Sequence, residues 1–124
     1  MTTRLALVEP DLRLARALTA LLKKQGYGVK HHSTLGRFFD AIARKPPNAV
    51  LMKMQLRGMN GFEIFRALRA NAETRGMLLI GMSENAHNND EAVAAFTAGA
   101  DEYLFKPLDA ELLVEPGHRC EPRR

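Results

Sequence analysis

Asn48-Ala49-Val50-Leu51-Met52-Lys53-Met54-Gln55-Leu56 is an apolar run with a single charge near its carboxyl end. Arg57-Gly58-Met59-Asn60-Gly61-Phe62-Glu63 follows, a glycine-bearing stretch that opens into an amphipathic segment. A short apolar run bounded by turn residues reads as a buried strand. The segment after it reads as a loop entering a helix. Strand, loop and helix together make one βα unit, and the charge lies at the strand's carboxyl end.

The same alternation repeats on both sides of this unit. Leu5-Ala6-Leu7-Val8 predicts a first buried strand, broken by Glu9-Pro10-Asp11. Asp11 suits the start of a helix, where its carboxylate can accept free backbone N–H groups. Leu14, Ala15, Leu18, Leu21 and Leu22 then recur at helical spacing, and Gly26 is placed to end that helix. Tyr27 to His31 predicts a polar edge strand. Thr34 to Arg44 predicts a helix burying Leu35, Phe38, Phe39 and Ile42, capped by Ser33 or Thr34 and stopped by Pro46-Pro47. The third strand covers Ala49 to Met54. Its helix runs from about Phe62 to Ala70 and buries Phe62, Phe65 and Leu68. Met77 to Met82 is the fourth strand, Asn88 to Ala98 the fourth helix, closed by Gly99, and Tyr103 to Phe105 the fifth strand. Asp109 begins a last helix that Pro116-Gly117 cuts short. Five alternating units imply right-handed crossovers and a parallel sheet. The fold class expected is α/β, a flavodoxin-like doubly wound (βα)5 domain of strand order 2-1-3-4-5 with a shortened final helix. Residues 1–115 form the domain and 116–124 a basic tail.

Composition narrows the function classes. The chain has 124 residues, 46% of them hydrophobic and 26% charged, which suits one ordinary globular domain. The net charge is +4, and the tail from Pro116 onward supplies half of it. With no aromatic interleaving, this is a poor match to a nucleic-acid surface. No apolar run is long enough to cross a bilayer, and Met1-Thr2-Thr3-Arg4 leads straight into the first strand, unlike a signal peptide. The single cysteine, Cys120, excludes an intrachain disulfide and suits a reducing, cytoplasmic location.

In doubly wound sheets the chemistry collects at the carboxyl ends of the strands. Those ends are Glu9, Lys53, Ser83 and Lys106. With Leu7-Val8-Glu9, Gln55 to Glu63, Ser83 and Gly99-Ala100-Asp101-Glu102-Tyr103-Leu104-Phe105-Lys106-Pro107 at these spacings, residues 4–115 resemble the receiver domain of two-component response regulators. The resemblance implies phosphoryl transfer from a partner kinase's phosphohistidine to an aspartate ending the third strand. It also implies two acids after the first strand that help hold Mg²⁺, a hydroxyl and a lysine that contact the phosphoryl group, and an aromatic that reports to an output face. Carried onto this chain, Glu9 fills the first acidic position and Pro10 replaces the second. Lys53 replaces the phosphoacceptor, while Ser83, Lys106 and Tyr103 keep the hydroxyl, the cation and the aromatic. Arg57 stands where proline is usual and Asn60 where aspartate is common.

These replacements change the chemistry expected. Mg²⁺ wants an octahedral shell of oxygens including one or two carboxylates. An ammonium about 4 Å from the ion, at an effective dielectric of about 20, costs roughly 8 kcal/mol. Magnesium binding and aspartyl phosphorylation are therefore expected to be lost, leaving a pseudo-receiver with no cofactor and no enzymatic activity. Lys53 is expected to pair with Glu9 in the space of the metal, ahead of simply snorkelling to solvent. Its output would pass through protein contacts near Tyr103 with a histidine kinase, another regulator or a second copy of itself, a homodimer. Two other readings stay open: phosphotransfer to an unusual acceptor such as Ser83, and sensing of a small anion by two lysines. Without phosphate, Ser83 and Lys106 have ordinary loop-shaping roles, and Tyr103 can be a partly exposed edge aromatic. His31-His32 reads as a solvated edge, since neighbours on a strand face opposite ways. Met52, Met54, Met59, Met77 and Met82 read as core filling, and His118 with Cys120 offers too few ligands for zinc.

Overall fold

The computed structural model describes residues 2–56, 59–83 and 89–105. The elements run β1 (Arg4–Val8), α1 (Leu12–Lys24), β2 (Gly28–His32), α2 (Leu35–Arg44), β3 (Ala49–Lys53), β4 (Gln55–Leu56), β5 (Met59–Asn60), α3 (Gly61–Ala70), β6 (Leu78–Ser83), α4 (Asn89–Ala98) and β7 (Glu102–Phe105). The main sheet has five strands in the order β2-β1-β3-β6-β7, and every neighbouring pair is parallel. This is the expected 2-1-3-4-5 order. The final helix, the tail and Lys106 lie outside the described residues.

Local chemistry sets the element ends. Asp11 caps α1, its carboxylate accepting from the N–H groups of Arg13 and Leu14. Beyond α1, Gly26 takes φ +100°, a left-handed turn that a side chain would strain. Thr34, not Ser33, caps α2 through Arg37 N–H. Asn60 caps α3 through Phe62 N–H at 2.7 Å. A two-stranded antiparallel ribbon, β4 with β5, occupies part of the stretch read as plain loop.

Apolar layers cover both faces of the sheet. On one, Ala15, Leu18 and Leu22 of α1 meet Leu5, Leu7, Leu51, Ile80 and Met82. On the other, Phe38, Ile64, Phe65, Leu68 and Ala95 pack over Val8, Val50, Met52 and Leu79. Leu21 was expected on the buried face of α1 but is 44% exposed; one step along a helix turns a side chain by about 100°. Phe62 is only half-buried, and Ile64 takes the inner position. Met52, Met54, Met77 and Met82 are buried as core residues.

Arg69, in the last turn of α3, ties the second layer to the start of β7. Its Nε and Nη2 donate to the Gly99 carbonyl at 3.0 and 2.7 Å, and Nη2 also reaches Asp101 Oδ2 at 2.7 Å. Nη1 donates to the carbonyls of Arg75 and Met77. Asp101 Oδ2 in turn accepts from Leu79 N–H at 2.8 Å. One guanidinium thus satisfies three carbonyls and a half-buried carboxylate, using the fork geometry that lysine lacks. Arg69→Ala is expected to cost about 3 kcal/mol, since it strands a carboxylate and several carbonyls. The measurement is the urea midpoint of unfolding, and Arg69→Lys should recover only part of the loss.

Candidate functional site

The parallel strands bring their carboxyl ends to one pole, and the candidate site is assembled there. Val8 stands in register with Met52 of β3 and with His32 of β2. Glu9, the next residue, therefore lies beside Lys53, which ends β3 opposite Met82 of β6. Ser83 closes β6 on the far side and pairs with Phe105 of β7. The structure thus gathers Glu9, Lys53 and Ser83 at one pole, as the spacing implied. Pro10 follows Glu9 as an exposed bend.

Glu9 is 0% exposed. Its Oε2 accepts the Asp11 N–H at 3.0 Å, and its carbonyl accepts from His31 Nε2 at 2.8 Å. The histidine proton on that bond must sit on Nε2, because a carbonyl can only accept. Lys53 is half-buried at the rim.

Ser83 is almost fully buried and faces β7 and α4. There the Tyr103 phenol donates to a Glu91 carboxylate oxygen, and the Ser83 hydroxyl also hydrogen-bonds the phenol. Burial raises the Tyr103 pKa above its ordinary value, the Glu91 bond adds to the rise, and the Ser83 bond works against it. Phe105 packs edge-on against Tyr103 at 5.4 Å between ring centres.

Two expectations change here. Tyr103 is 9% exposed, so it is an inward-facing residue rather than an exposed edge aromatic. Its ring fits because Gly81 has no side chain: a Cβ there would lie 2.8 Å from Tyr103 Cδ1 and 3.0 Å from Met54 Sδ. His31 and His32 are not a solvated edge. His32 is buried and meets Phe38 edge-to-face, and burial, followed by the charges of Lys30 and His31, lowers its pKa. His31 holds the Glu9 carbonyl. Sequence reading missed Glu91, which looks like any acid on the first turn of a helix. Gly81 did carry a signal, since a glycine inside a strand often marks a close approach. Among the described residues, no three His, Cys, Asp or Glu side chains gather as a metal site.

Comparison with known proteins agrees with this fold. The chain is 29% identical over 114 residues to the DNA-binding response regulator MtrA of Mycolicibacterium paratuberculosis, which covers 92% of this chain and 49% of that protein. It is 30% identical over the same length to the response regulator MprA of Mycobacterium sp. strain KMS, with 92% and 48% covered. The chain therefore spans about half the length of the curated relatives it matches. A CheY-like receiver domain protein from Methanospirillum hungatei JF-1 superposes with a TM-score of 0.81 at 26% identity, over 94% of this chain and 90% of that one. The receiver domain of a DNA-binding response regulator from Colwellia psychrerythraea 34H reaches 0.84 at 23% identity, over 91% and 93%. The sequence pattern of the response regulator receiver domain matches residues 5–116, and the chain belongs to that family.

Proposed function

We propose that this receiver passes on a two-component signal through protein contacts, without phosphorylation of an aspartate and without a metal, as a binding module and not an enzyme. The charge at the end of β3 carries this reading. A lysine holds the position at which the receiver resemblance implies a phosphoaccepting aspartate, and a protonated ammonium has no lone pair to offer phosphorus or a metal. The donor set agrees. Glu9 is a single carboxylate whose Oε2 already accepts a backbone N–H, and Pro10 brings no oxygen-bearing side chain. These residues do not fit a hard divalent ion that wants six oxygens.

On this reading the Lys53 ammonium provides the positive charge that Glu9 needs. A carboxylate removed from water costs several kcal/mol unless it is compensated. Lys53 stands on the adjacent strand and a lysine stem is long enough to reach across. Ser83 is ill placed as a substitute acceptor, because its hydroxyl is buried and engaged with Tyr103.

The contact face proposed is that of α4 and β7. Val93 and Phe96 stand 64% and 49% exposed on α4, three residues apart and so on one side of the helix. Beneath them Tyr103 ties α4 to β7 through Glu91. The partners proposed are a histidine kinase, another regulator or a second copy of the chain.

One outcome tests the reading itself, and two more test the Tyr103 packing on which the contact face depends. Incubation with Mg²⁺ and acetyl phosphate should leave the intact mass unchanged, and a stable added phosphoryl group refutes the proposal. Gly81→Ala should cost about 1–3 kcal/mol by overpacking and force the Tyr103 ring outward, seen as a fall of its spectrophotometric pKa toward the ordinary value. The third outcome concerns alkaline pH. An unfolded tyrosine releases its proton near the ordinary value of 10.0, whereas the folded Tyr103 holds on to it. The folded state then binds more protons, so stability drops as pH rises past that value. Chemical denaturation across this range should show the drop, and Tyr103→Phe should reduce it.

A further inference from the structure

We propose that a cavity along the edge strand β2 binds a small amphipathic organic anion, an apolar body ending in a carboxylate. The cavity has a volume of about 460 Å³, within the range of small-ligand sites. Its walls are mainly apolar, with Ala6, Val29, Ile42 and Pro47 contributing. Arg4, Lys23, Lys30 and Lys45 also line it, and no carboxylate does among the described residues. The three lysines are exposed, and none forms an ion pair with a described residue. Apolar walls within a ring of cations that lack ion-pair partners among the described residues favour an apolar molecule with a negative head.

The head group follows from how the cations are carried. Phosphate sites commonly use helix N-termini, where backbone N–H groups and the dipole both favour a dianion. This cavity has the opposite ends: Lys23 lies in the last turn of α1, and Lys45 is the C-cap of α2. Helix C-termini carry partial negative charge, so only side chains supply the positive field. Arg4 is partly used, since its Nη2 donates to the Pro46 carbonyl at 3.0 Å. Flexible ammonium groups around an incomplete guanidinium fork suit a monoanion better than a tightly cradled phosphate. At the inner end, the buried His32 ring feels Lys30 as a nearby positive charge, which is consistent with the field proposed.

The site flanks β2, at the opposite edge of the sheet from β7 and Tyr103. It does not depend on the state of Lys53, so phosphorylation of the chain would leave it standing. The test is an NMR titration of the isotopically labelled full chain with four eight-carbon probes: octanoate, octanol, octyl phosphate and octylammonium. Octanoate should shift the amides of Val29, Ala41 and Ile42 saturably. Octanol should bind at least tenfold more weakly, and octylammonium not at all. Lys30→Ala with Lys45→Ala alters exposed side chains only. This double variant should weaken octanoate at least fivefold and leave octanol unchanged. Equal affinity for octanol and octanoate would mean that the lysines merely offset helix C-termini, and would overturn the proposal. Tighter binding of octyl phosphate than of octanoate, or no saturable shift with octanoate, would overturn it as well.

Discussion

Withdrawal of the Glu9 carboxylate from water is the constraint on which the functional pole depends. Asp11 N–H answers one of its oxygens, and His31 fixes the backbone beneath it by holding the carbonyl. What remains is a negative charge at the end of β1, next to the end of β3. An exchangeable cation can balance such a charge and leave again. A lysine built into β3 cannot leave. On the proposed reading the pole is therefore locked into one electrostatic state.

The architecture was legible because each βα unit marks its own limits. The apolar runs at 5–8, 49–52 and 78–82 are too short for helices and too continuous for half-exposed strands, so a buried parallel sheet followed. Asp11, Gly26 and Gly99 punctuate the units through chemistry confined to a few residues, and the two glycines adopt the positive φ that their placement suggested. Less was legible where the deciding contact crosses the sheet. His32 reads as polar until Phe38 of α2 covers it. The β4–β5 ribbon has two-residue strands, too short for any periodicity to show. Leu21 shares an apolar stripe with Leu18 and Leu22 on paper, but the contact face of α1 is narrower than that stripe.

The site was readable as a set of positions and less so as a set of contacts. Register alone brings Glu9, Lys53 and Ser83 together, because parallel strands in the predicted order leave them nowhere else to go. Spacing does not say which way Ser83 turns. It turns toward β7, where it meets a tyrosine that in turn bonds a glutamate of α4, and that relay depends on the packing of α4. Gly81 is the exception, a residue whose identity hinted at a close approach without naming the partner.

Tyr103, Glu91 and Ser83 are best understood as a unit. A buried phenol needs a partner, and so does a carboxylate that is only 9% exposed. Each helps satisfy the other, with Ser83 as a further partner of the phenol, and losing the shared hydrogen bond costs about 0.5–1.5 kcal/mol. Gly81 gives the ring its space, and Phe105 braces its side. The inward tyrosine is thus held by packing and hydrogen bonds already present in the polypeptide. The hydroxyl at the end of β6 is in this way tied to α4, whose outer side exposes Val93 and Phe96. A contiguous chain of contacts, Ser83 to Tyr103 to Glu91, therefore runs from the pole to the proposed contact face. On the proposed reading, that face is where regulation acts, through the supply of partners or their competition for it.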